Sequence, residues 1–322
     1  MRITVLTPTF NRAHTLHRCF DSLSQQTFSD FEWVVIDDGS VDGTEALVKA
    51  WAAEAAFPIH YQWKENGGKP SAVNAGLEVA RGQYIGILDS DDALLPDTLE
   101  VMLRAWDEIP AEQRDRYWTV IGLCRNAKTR TVDGDRFPEG TPDATWEDLC
   151  FKWKTGGEKW GLMRTDLLRQ AIPKESLKYQ YAPPSLRWGR VARSRLYRCL
   201  NVVVRDYYIP EGPRTGHLSG LENRIRNAEG FLLADIDVLN HDLPTCSRLS
   251  PLYFCKRAIQ YARFGFHAKN VMGLWRQLRP FEARALVLVY LPVGFLLYSH
   301  DLVWLRMTQS GPLVEWLAEL AA

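Results

Sequence analysis

Short apolar runs alternate with amphipathic segments over roughly the first 125 residues, and this alternation predicts the fold. Apolar positions recur at helical spacing at Leu16, Phe20 and Leu23, and residues 71–82 predict a later helix that Gly82 would end. The order of these segments predicts an α/β fold with a doubly wound, mostly parallel sheet. The apolar runs that predict its strands lie at residues 3–7, 33–37, 59–63, 84–88 and 119–123.

The pattern changes in the second part of the chain. Residues 125–145 are polar and predict a loop or small hairpin, and residues 186–208 predict a basic helix followed by a strand. We therefore expect a first domain, built on the α/β sheet, at residues 1–212. Residues 213–322 should form a C-terminal helical region that associates with a membrane or forms oligomers.

Residues 285–299 contain no charged side chain, and three interpretations of this run stay open. It is a helix buried in the core or an oligomer contact, a helix lying in a membrane interface, or a membrane span. A span needs about 20 apolar residues, and Pro292 weakens that interpretation. Basic residues flank the run on both sides and suit an interfacial helix: Arg276, Arg279, Arg284 and Arg306.

Polar clusters follow the first four predicted strands. They lie at residues 8–12, 37–40, 66–69 and 89–92. Ligands of open α/β sheets bind outside the carboxyl ends of the strands. The sequence therefore predicts that these four clusters form one ligand site.

The cluster after the fourth strand carries three carboxylates, Asp89, Asp91 and Asp92. Carboxylates at a strand end are costly to desolvate unless a cation neutralises them. Mg²⁺ or Mn²⁺ is suited to this task, held by one or two carboxylates and the phosphates of a substrate. The alternative is that these residues only cap the next helix. Asp91 is the preferred metal ligand, with Asp89 beside it.

Two other clusters suggest contacts with a nucleotide. Asp38 can accept a hydrogen bond from the imide of a uracil-like base, although an Asx turn would explain it equally simply. Gly67 and Gly68 allow a close approach of the backbone, and Lys69 supplies charge for a phosphate. The alternative for Lys69 is a solvated loop lysine.

These residues occur in three ordered segments, TPTFNR, VVIDDGSVDGT and NGGKPSAVNAGLEVARGQYIGILDSDD. Residues 3–125 thereby resemble the nucleotide-sugar-binding half of family 2 glycosyltransferases of the GT-A fold, of the bacterial cell-surface polysaccharide type. The resemblance implies that the domain at residues 1–212 is a nucleotide-sugar-binding and catalytic GT-A domain. It also implies a nucleoside-diphosphate sugar donor, UDP-linked, a divalent metal, and inversion at the anomeric carbon. It implies Asp91 and Asp89 as metal ligands. The implied donor-binding residues are Thr7, Pro8, Thr9, Asn11, Arg12, Asp38, Gly68, Lys69, Asn74, Asp89, Ser90 and Asp92.

One catalytic position departs from the family. Its members carry an acidic residue just before the basic helix, which takes the proton from the acceptor hydroxyl, and Pro184 stands there in this chain. Proline cannot accept a proton, so we expect Glu158 to serve as the base, with Glu175 and Asp166 as further candidates. The alternative for Glu158 is a structural ion pair with a nearby cation. The loop at residues 211–220, with Arg214 and His217, either closes over the diphosphate or is a linker.

Composition narrows the function further. The 322 residues have zero formal net charge, so the charge balance does not suggest a nucleic-acid-binding protein. Six cysteines without C-x-x-C spacing, and no signal peptide before the first strand, predict a cytoplasmic protein, peripheral at the inner face of the plasma membrane. Partners would be the sugar donor, a glycan or lipid-linked acceptor, and a second copy. The rival functions are a nucleotidyltransferase, which would need a glycine-rich first loop, and a donor-binding scaffold without a base.

Overall fold

The computed structural model describes residues 1–140, 142–171, 179, 181–209 and 221–309. The chain divides into two compact units. The first unit comprises Met1–Gln180 and Pro184–Gly212, and the second comprises Tyr181–Pro183 and Pro213–Ala322.

The first unit is built on one mixed, mostly parallel sheet. Its described strands are β1 (Ile3–Thr9), β2 (Phe31–Asp37), β3 (Ile59–Trp63), β4 (Tyr84–Ile87), β5 (Ala93–Leu94), β6 (Tyr117–Asn126), β7 (Asp143–Ala144), β8 (Lys159–Arg164) and β9 (Leu196–Tyr207). The strand order is β3-β2-β1-β4-β8-β6-β9-β5, and β7 pairs with β9. This architecture confirms the predicted α/β fold class.

Helices cover the sheet of the first unit. They are α1 (Ala13–Ser24), α2 (Thr44–Glu54), α3 (Lys69–Val79), α4 (Thr98–Asp107), α5 (Thr165–Gln170) and α6 (Ser185–Ala192). A 3₁₀ helix spans Ala111–Arg116, and one π-helical turn spans Asp148–Lys152. The predicted strands and the helices between them are therefore present, with somewhat different ends.

Strands β1 to β4 form the parallel half of the sheet, because helices α1, α2 and α3 return the chain to the same starting edge. Every residue of β1 and β2 is buried, as expected for strands covered on both faces. Parallel pairing aligns Thr9 with Asp37 at the ends of β1 and β2. The loops after these strands consequently emerge on one side of the sheet.

An antiparallel strand, β8, separates β4 from β6. Tyr84, at the start of β4, pairs with Arg164, at the end of β8. Strand β8 therefore begins at the edge where β4 ends. Glu158, which precedes β8, lies at the carboxyl edge of the parallel strands, whereas Asp166, which follows β8, lies at the opposite edge.

The end of α3 differs from the prediction. The helix ends at Val79, and Ala80 already has an extended backbone, with φ −56° and ψ 131°. Gly82 instead packs against β1, where an added Cβ would lie 2.3 Å from the backbone nitrogen of Thr4. Glycine is required here for a close approach of two backbones and does not cap the helix.

The second unit is helical in its described part. Its helices are α7 (Leu221–Arg226), α8 (Ala228–His241), α9 (Leu243–Cys246), α10 (Pro251–His267), α11 (Val271–Trp275) and α12 (Phe281–Gln309). Helices α10 and α12 cross closely, because a Cβ on Gly294 would lie 2.4 Å from Cβ of Ala262. At this contact Asp301 is fully buried and accepts hydrogen bonds from Arg263 Nε at 2.6 Å and His267 Nε2 at 2.9 Å.

The other face of α12 is exposed and apolar. Within the described residues, one stretch, Phe281–Leu305, is long and apolar enough to cross a membrane, with a mean hydropathy of 1.7 and 17% of it buried. Length and composition alone do not distinguish a span from a helix that lies on another surface. The exposed apolar side chains of α12 are Phe281, Leu288, Val289, Val293, Phe295, Leu296, Leu302 and Val303.

Candidate active site

The polar loops after β1, β2, β3 and β4 meet at the carboxyl edge of the sheet. The Asp38 amide donates to the Thr9 carbonyl at 2.8 Å, and the Lys64 amide donates to the Asp37 carbonyl at 2.9 Å. These bonds continue the strand pairing past the strand ends. The convergence that the sequence predicted is therefore present for the parallel strands.

Asp38 is buried and its carboxylate is held by three protein donors. Oδ1 accepts from Lys64 Nζ at 2.7 Å and from the Gly67 amide at 3.0 Å, and Oδ2 accepts from the Gly68 amide at 2.7 Å. Gly68 has a φ of +83°, a conformation that glycine adopts without strain. A carboxylate has about four acceptor positions, so one position remains on Oδ2.

Asn11 and Arg12 connect the first two loops to the carboxylates. The Asn11 amide donates to Ser40 Oγ at 2.8 Å, and Asn11 Oδ1 accepts from the Val41 amide at 2.9 Å. Asn11 therefore positions the loop after β2. Arg12 precedes α1, and its positive charge contributes to lowering the pKa of Asp89.

Helix α1 holds the turn at residues 89–92 by its backbone carbonyls. Thr15 Oγ1 donates to the Ser90 carbonyl at 3.0 Å, and Arg18 Nη1 donates to the Asp91 carbonyl at 3.0 Å. Cys19 Sγ lies 3.2 Å from the Asp89 carbonyl. The sequence analysis missed these residues, although their spacing of three and four places them on one helix face.

The three carboxylates of this turn have different surroundings. Asp89 Oδ1 lies 2.6 Å from Lys69 Nζ. Burial alone would raise the pKa of Asp89, but the charges of Lys69 and Arg205 outweigh it and the pKa is lowered. Asp91 is half-buried, and its carboxylate makes no hydrogen bond or ion pair with any residue that the structure describes.

Asp92 is fully buried. Its Oδ1 accepts from the Tyr208 amide at 3.0 Å, and its Oδ2 lies 3.2 Å from Arg205 Nη1. Burial raises the pKa of Asp92 to about 7, although Arg205 opposes the shift. The carboxylate of Asp92 is therefore bound to Arg205 and to the backbone at Tyr208, and its contact with the donor stays a prediction.

Arg205 is the most important site residue that the sequence analysis missed. It is buried on β9 and lies between Asp92 and Glu158, whose Oε2 is 2.9 Å from its Nη2. Burial alone would lower the pKa of Arg205. The nearby Cys124, Asp92, Asp89 and Glu158 outweigh this effect, and the pKa of Arg205 is raised. The available signal was an arginine inside the apolar run CLNVVVRDYY, a pattern typical of a buried ion pair.

The structure places two of the candidate bases at different edges of the sheet. Glu158 lies at the carboxyl edge, and 49% of its side chain is exposed. Asp166 pairs with Arg164 at 2.6 Å at the opposite edge, so its prediction as a base is wrong. Glu175 and the loop at residues 211–220, with Arg214 and His217, lie outside the described residues.

Several predicted donor contacts lie deeper than expected. Thr7 is fully buried and its Oγ1 accepts from Trp33 Nε1 at 2.9 Å, so the contact of Thr7 with the donor stays a prediction. Pro8 lies within buried β1, and Ser90 is buried beneath its turn. Thr9 Oγ1 is buried without a hydrogen-bond partner. Asn74 is buried on α3 and accepts from Arg187 Nη2 at 2.6 Å.

The side chains that could hold a metal are few. Among the described residues, no group of three or more His, Cys, Asp or Glu side chains is arranged to bind a metal ion. Mg²⁺ and Mn²⁺ in phosphate-transfer sites are often held by only one or two carboxylates together with substrate phosphates. Asp91 fits that role best because its carboxylate is uncommitted, whereas Asp89 would have to share its charge with Lys69.

Comparison with known proteins identifies the domain that carries this edge. Residues 4–133 match the family described as "Glycosyl transferase family 2". We refer to residues 4–133, which match this family, as the family 2 domain. The family 2 domain includes the ends of β1 to β4 and the turn at residues 89–92.

Curated relatives share parts of the family 2 domain. Chondroitin synthase of Pasteurella multocida is 41% identical over 103 residues, which are 32% of this chain and 10% of the relative. The putative glycosyltransferase EpsH of Bacillus subtilis is 35% identical over 167 residues, 49% of this chain and 45% of the relative. The chain thus covers less than half of either relative.

Solved structures extend the similarity of fold to most of the chain. Staphylococcus aureus TarS 1–349, solved in complex with UDP-GlcNAc, has a TM-score of 0.59 at 19% identity, covering 94% of this chain and 92% of TarS 1–349. The mannosyltransferase PcManGT of Pyrobaculum calidifontis, solved with GDP-Man and Mn²⁺, has a TM-score of 0.50 at 18% identity, covering 95% and 83%. The first unit therefore has the GT-A fold, as predicted.

Replacing Arg205 with methionine should destabilise the protein strongly. The change leaves the buried Asp92 carboxylate uncompensated, and we expect the free energy of unfolding to fall by about 3–5 kcal/mol in urea titrations. Arg205→Lys, which keeps the positive charge, should lower the free energy of unfolding less than Arg205→Met does.

The control is Arg130→Met. Arg130 Nη1 lies 3.1 Å from Asp206, but 57% of the Arg130 side chain is exposed. An exposed ion pair contributes at most about 1 kcal/mol. Equal effects of the two methionine variants would contradict the central role of Arg205.

Proposed function

We propose that the family 2 domain transfers a sugar from a UDP-linked nucleoside-diphosphate donor to a glycan or lipid-linked acceptor, with inversion at the anomeric carbon. The observation that carries the proposal is the arrangement at the carboxyl edge. There, as far as the described residues go, Asp38 keeps one free acceptor position and Asp91 keeps an unpaired carboxylate, while Lys69 pairs with Asp89. Base, phosphate and metal would each meet a suitable group.

The free position on Asp38 suits the base of the donor. Uracil carries an imide N–H that can donate to Oδ2, whereas the corresponding nitrogen of cytosine carries no hydrogen. The complexes of the two structural relatives with UDP-GlcNAc and GDP-Man support a nucleotide-linked sugar as the donor class. We expect UDP to bind and CDP to bind much more weakly.

A divalent ion would be held by Asp91, with Asp89 as the second ligand. Mn²⁺ is present in the complex of PcManGT, which supports a metal in this family. When bound, such an ion supplies positive charge for the diphosphate as it leaves. Lys69 would add charge at the same diphosphate by exchanging its bond with Asp89 for one with a phosphate oxygen.

Glu158 is the base in this proposal. Arg205 binds Glu158 Oε2, and the described residues provide no partner for Oε1. Oε1 can therefore accept the proton from the acceptor hydroxyl as that oxygen attacks the sugar. The usual position of the base is taken by Pro184, and the first turn of α6 contains no acidic residue.

That same absence favours a second candidate function, a donor-binding scaffold that does not catalyse transfer. Such a protein would keep the Asp38, Lys69 and Asp91 contacts but release no nucleotide. The two functions differ only in the chemical step, so kinetics on a donor that binds separates them.

Asp91→Asn should remove the metal-dependent part of donor binding. We expect calorimetry to show that Mn²⁺ strengthens UDP binding to the unmodified protein and that the variant binds UDP in Mn²⁺ about tenfold more weakly, or worse. The variant and the unmodified protein should bind UDP alike in EDTA.

Asp97→Asn is the matched control for Asp91→Asn. Asp97 is exposed at the N-cap of α4, where asparagine is equally suitable. The Asp97→Asn variant should bind UDP and Mn²⁺ as the unmodified protein does. Unchanged binding in Asp91→Asn would show that the metal assignment is wrong.

Glu158→Gln should lower the rate of metal-dependent UDP release about 10²- to 10⁴-fold over a panel of UDP-sugars, because a general base contributes that much. UDP affinity should stay the same, since the glutamine does not touch the nucleotide. Asp166→Asn, at the opposite edge, should keep the rate within about twofold.

Two results would change this assignment. A Glu158→Gln variant with the original rate would exclude Glu158 as the base. Binding of UDP and Mn²⁺ without release from any donor, in the unmodified protein, would favour the scaffold.

We further propose that the second unit contacts an anionic membrane surface, which would place the protein peripherally at the inner face of the plasma membrane. The exposed apolar face of α12 supports this contact, and Arg276, Arg279 and Arg284 lie exposed at its N-terminal end. Apolar side chains beside basic ones suit the headgroup region of anionic lipids.

Flotation with vesicles tests the membrane contact. The protein should float with phosphatidylglycerol vesicles more than with phosphatidylcholine vesicles, and the double variant Val289→Asp, Leu296→Asp should lose binding. Leu252→Asp is the control, because Leu252 is 74% exposed but lies on α10. Concentration-dependent dimerisation without vesicle binding would instead assign this face to a second copy.

A further inference from the structure

Arg187 is a buried cation that has no carboxylate partner among the described residues. It lies on α6, and only 6% of the residue is exposed. Its Nη2 donates to Asn74 Oδ1 at 2.6 Å, and this neutral amide is the only side-chain partner that the described residues give it. Burial lowers the pKa of Arg187 to about 10. Arg205, equally buried, has two carboxylates.

The position of Arg187 in its helix adds a second unfavourable term. Arg187 is the third residue of α6 (Ser185–Ala192), whose first turn contains no acidic side chain. The N-terminal end of a helix carries a partial positive charge, so a cation in the first turn is repelled. An anion would normally occupy such an environment.

Asn74 adds a third. Its Oδ1 is bound to Arg187, and its buried Nδ2 has no hydrogen-bond partner in the part of the chain that the structure describes. An unsatisfied buried donor is destabilising, and native structures contain few of them. The unsatisfied amide group therefore belongs to the same side chain that contacts the uncompensated guanidinium.

One anion beside these two side chains would remove all three unfavourable terms. It would accept from Asn74 Nδ2 and from the remaining guanidinium N–H groups, and it would neutralise the positive end of α6. Sites that break local rules in this way are often functional. We propose that Arg187, Asn74 and the first turn of α6 form a subsite for one phosphate group of a substrate.

The choice of phosphate rests on the proposed function, because nucleoside-diphosphate donors and lipid-linked acceptors both carry phosphates. Planar guanidinium groups bind phosphate oxygens with paired hydrogen bonds. Asn74 follows Lys69 by five residues in α3, a rise of about 7.5 Å along the helix axis. The subsite is therefore separate from the pair of Lys69 and Asp89, and its phosphate comes from the donor or from a phosphorylated acceptor.

The experiment compares thermal unfolding in phosphate, pyrophosphate and sodium chloride at matched ionic strength. The unmodified protein should be stabilised by the phosphates beyond sodium chloride. Asn74→Asp supplies a carboxylate to Arg187 from within the protein. This variant should melt at a higher temperature without phosphate, and its apparent affinity for phosphate should fall about tenfold or more.

Arg187→Met should lose the phosphate effect as well, and Arg190→Met, on the exposed face of the same helix, should keep it. Should Arg187→Met fail to fold, Asn74→Asp still decides the question. The absence of a phosphate-specific effect in the unmodified protein, or its persistence in Asn74→Asp, would overturn the proposal.

Calorimetry with UDP and uridine identifies the source of the phosphate. If Asn74→Asp weakens binding of UDP but not of uridine, the subsite holds the donor diphosphate. If UDP binds equally while the phosphate effect is lost, the subsite holds a phosphate of the acceptor. Failure of the unmodified protein to bind UDP, with the phosphate effect intact, would overturn only the proposed function.

Discussion

The candidate active site depends on the charge balance at the carboxyl edge of the sheet. Around the turn at residues 89–92, four acidic side chains meet (Asp89, Asp91, Asp92 and Glu158), and isolated carboxylates are unfavourable where water is partly excluded. Arg205 compensates Asp92 and Glu158, and Lys69 compensates Asp89. Asp91 is left over. Because Arg205 and Lys69 pair with Asp92, Glu158 and Asp89, the carboxylate of Asp91 is the one that could bind an added cation.

The antiparallel strand β8 is the topological feature that completes this edge. In an all-parallel sheet, the strand next to β4 would begin at the far edge, and its preceding residues would lie away from the turn at residues 89–92. Because β8 runs against β4 and β6, its first residues lie beside that turn. The fold thereby brings Glu158 to a place that the sequence order does not suggest.

Much of the parallel half was predictable because each strand is an apolar run and each strand end is polar. Residues such as Asp38 and Asp91 follow from that pattern. The partner of Asp92 did not, because Arg205 pairs with it through the sheet, and long-range pairing leaves no local periodicity. The error at Gly82 has the same origin, since its role depends on the contact with Thr4 and not on the helix before it.

The buried Asp301 on α12 limits what this apolar helix can do. Detaching α12 from α10 would separate Asp301 from Arg263 and His267 and leave its charge uncompensated, a cost of about 3–5 kcal/mol for a broken buried pair. The ion pair thus fixes one face of α12 against α10, so only the exposed apolar face of α12 is available for contact with another surface.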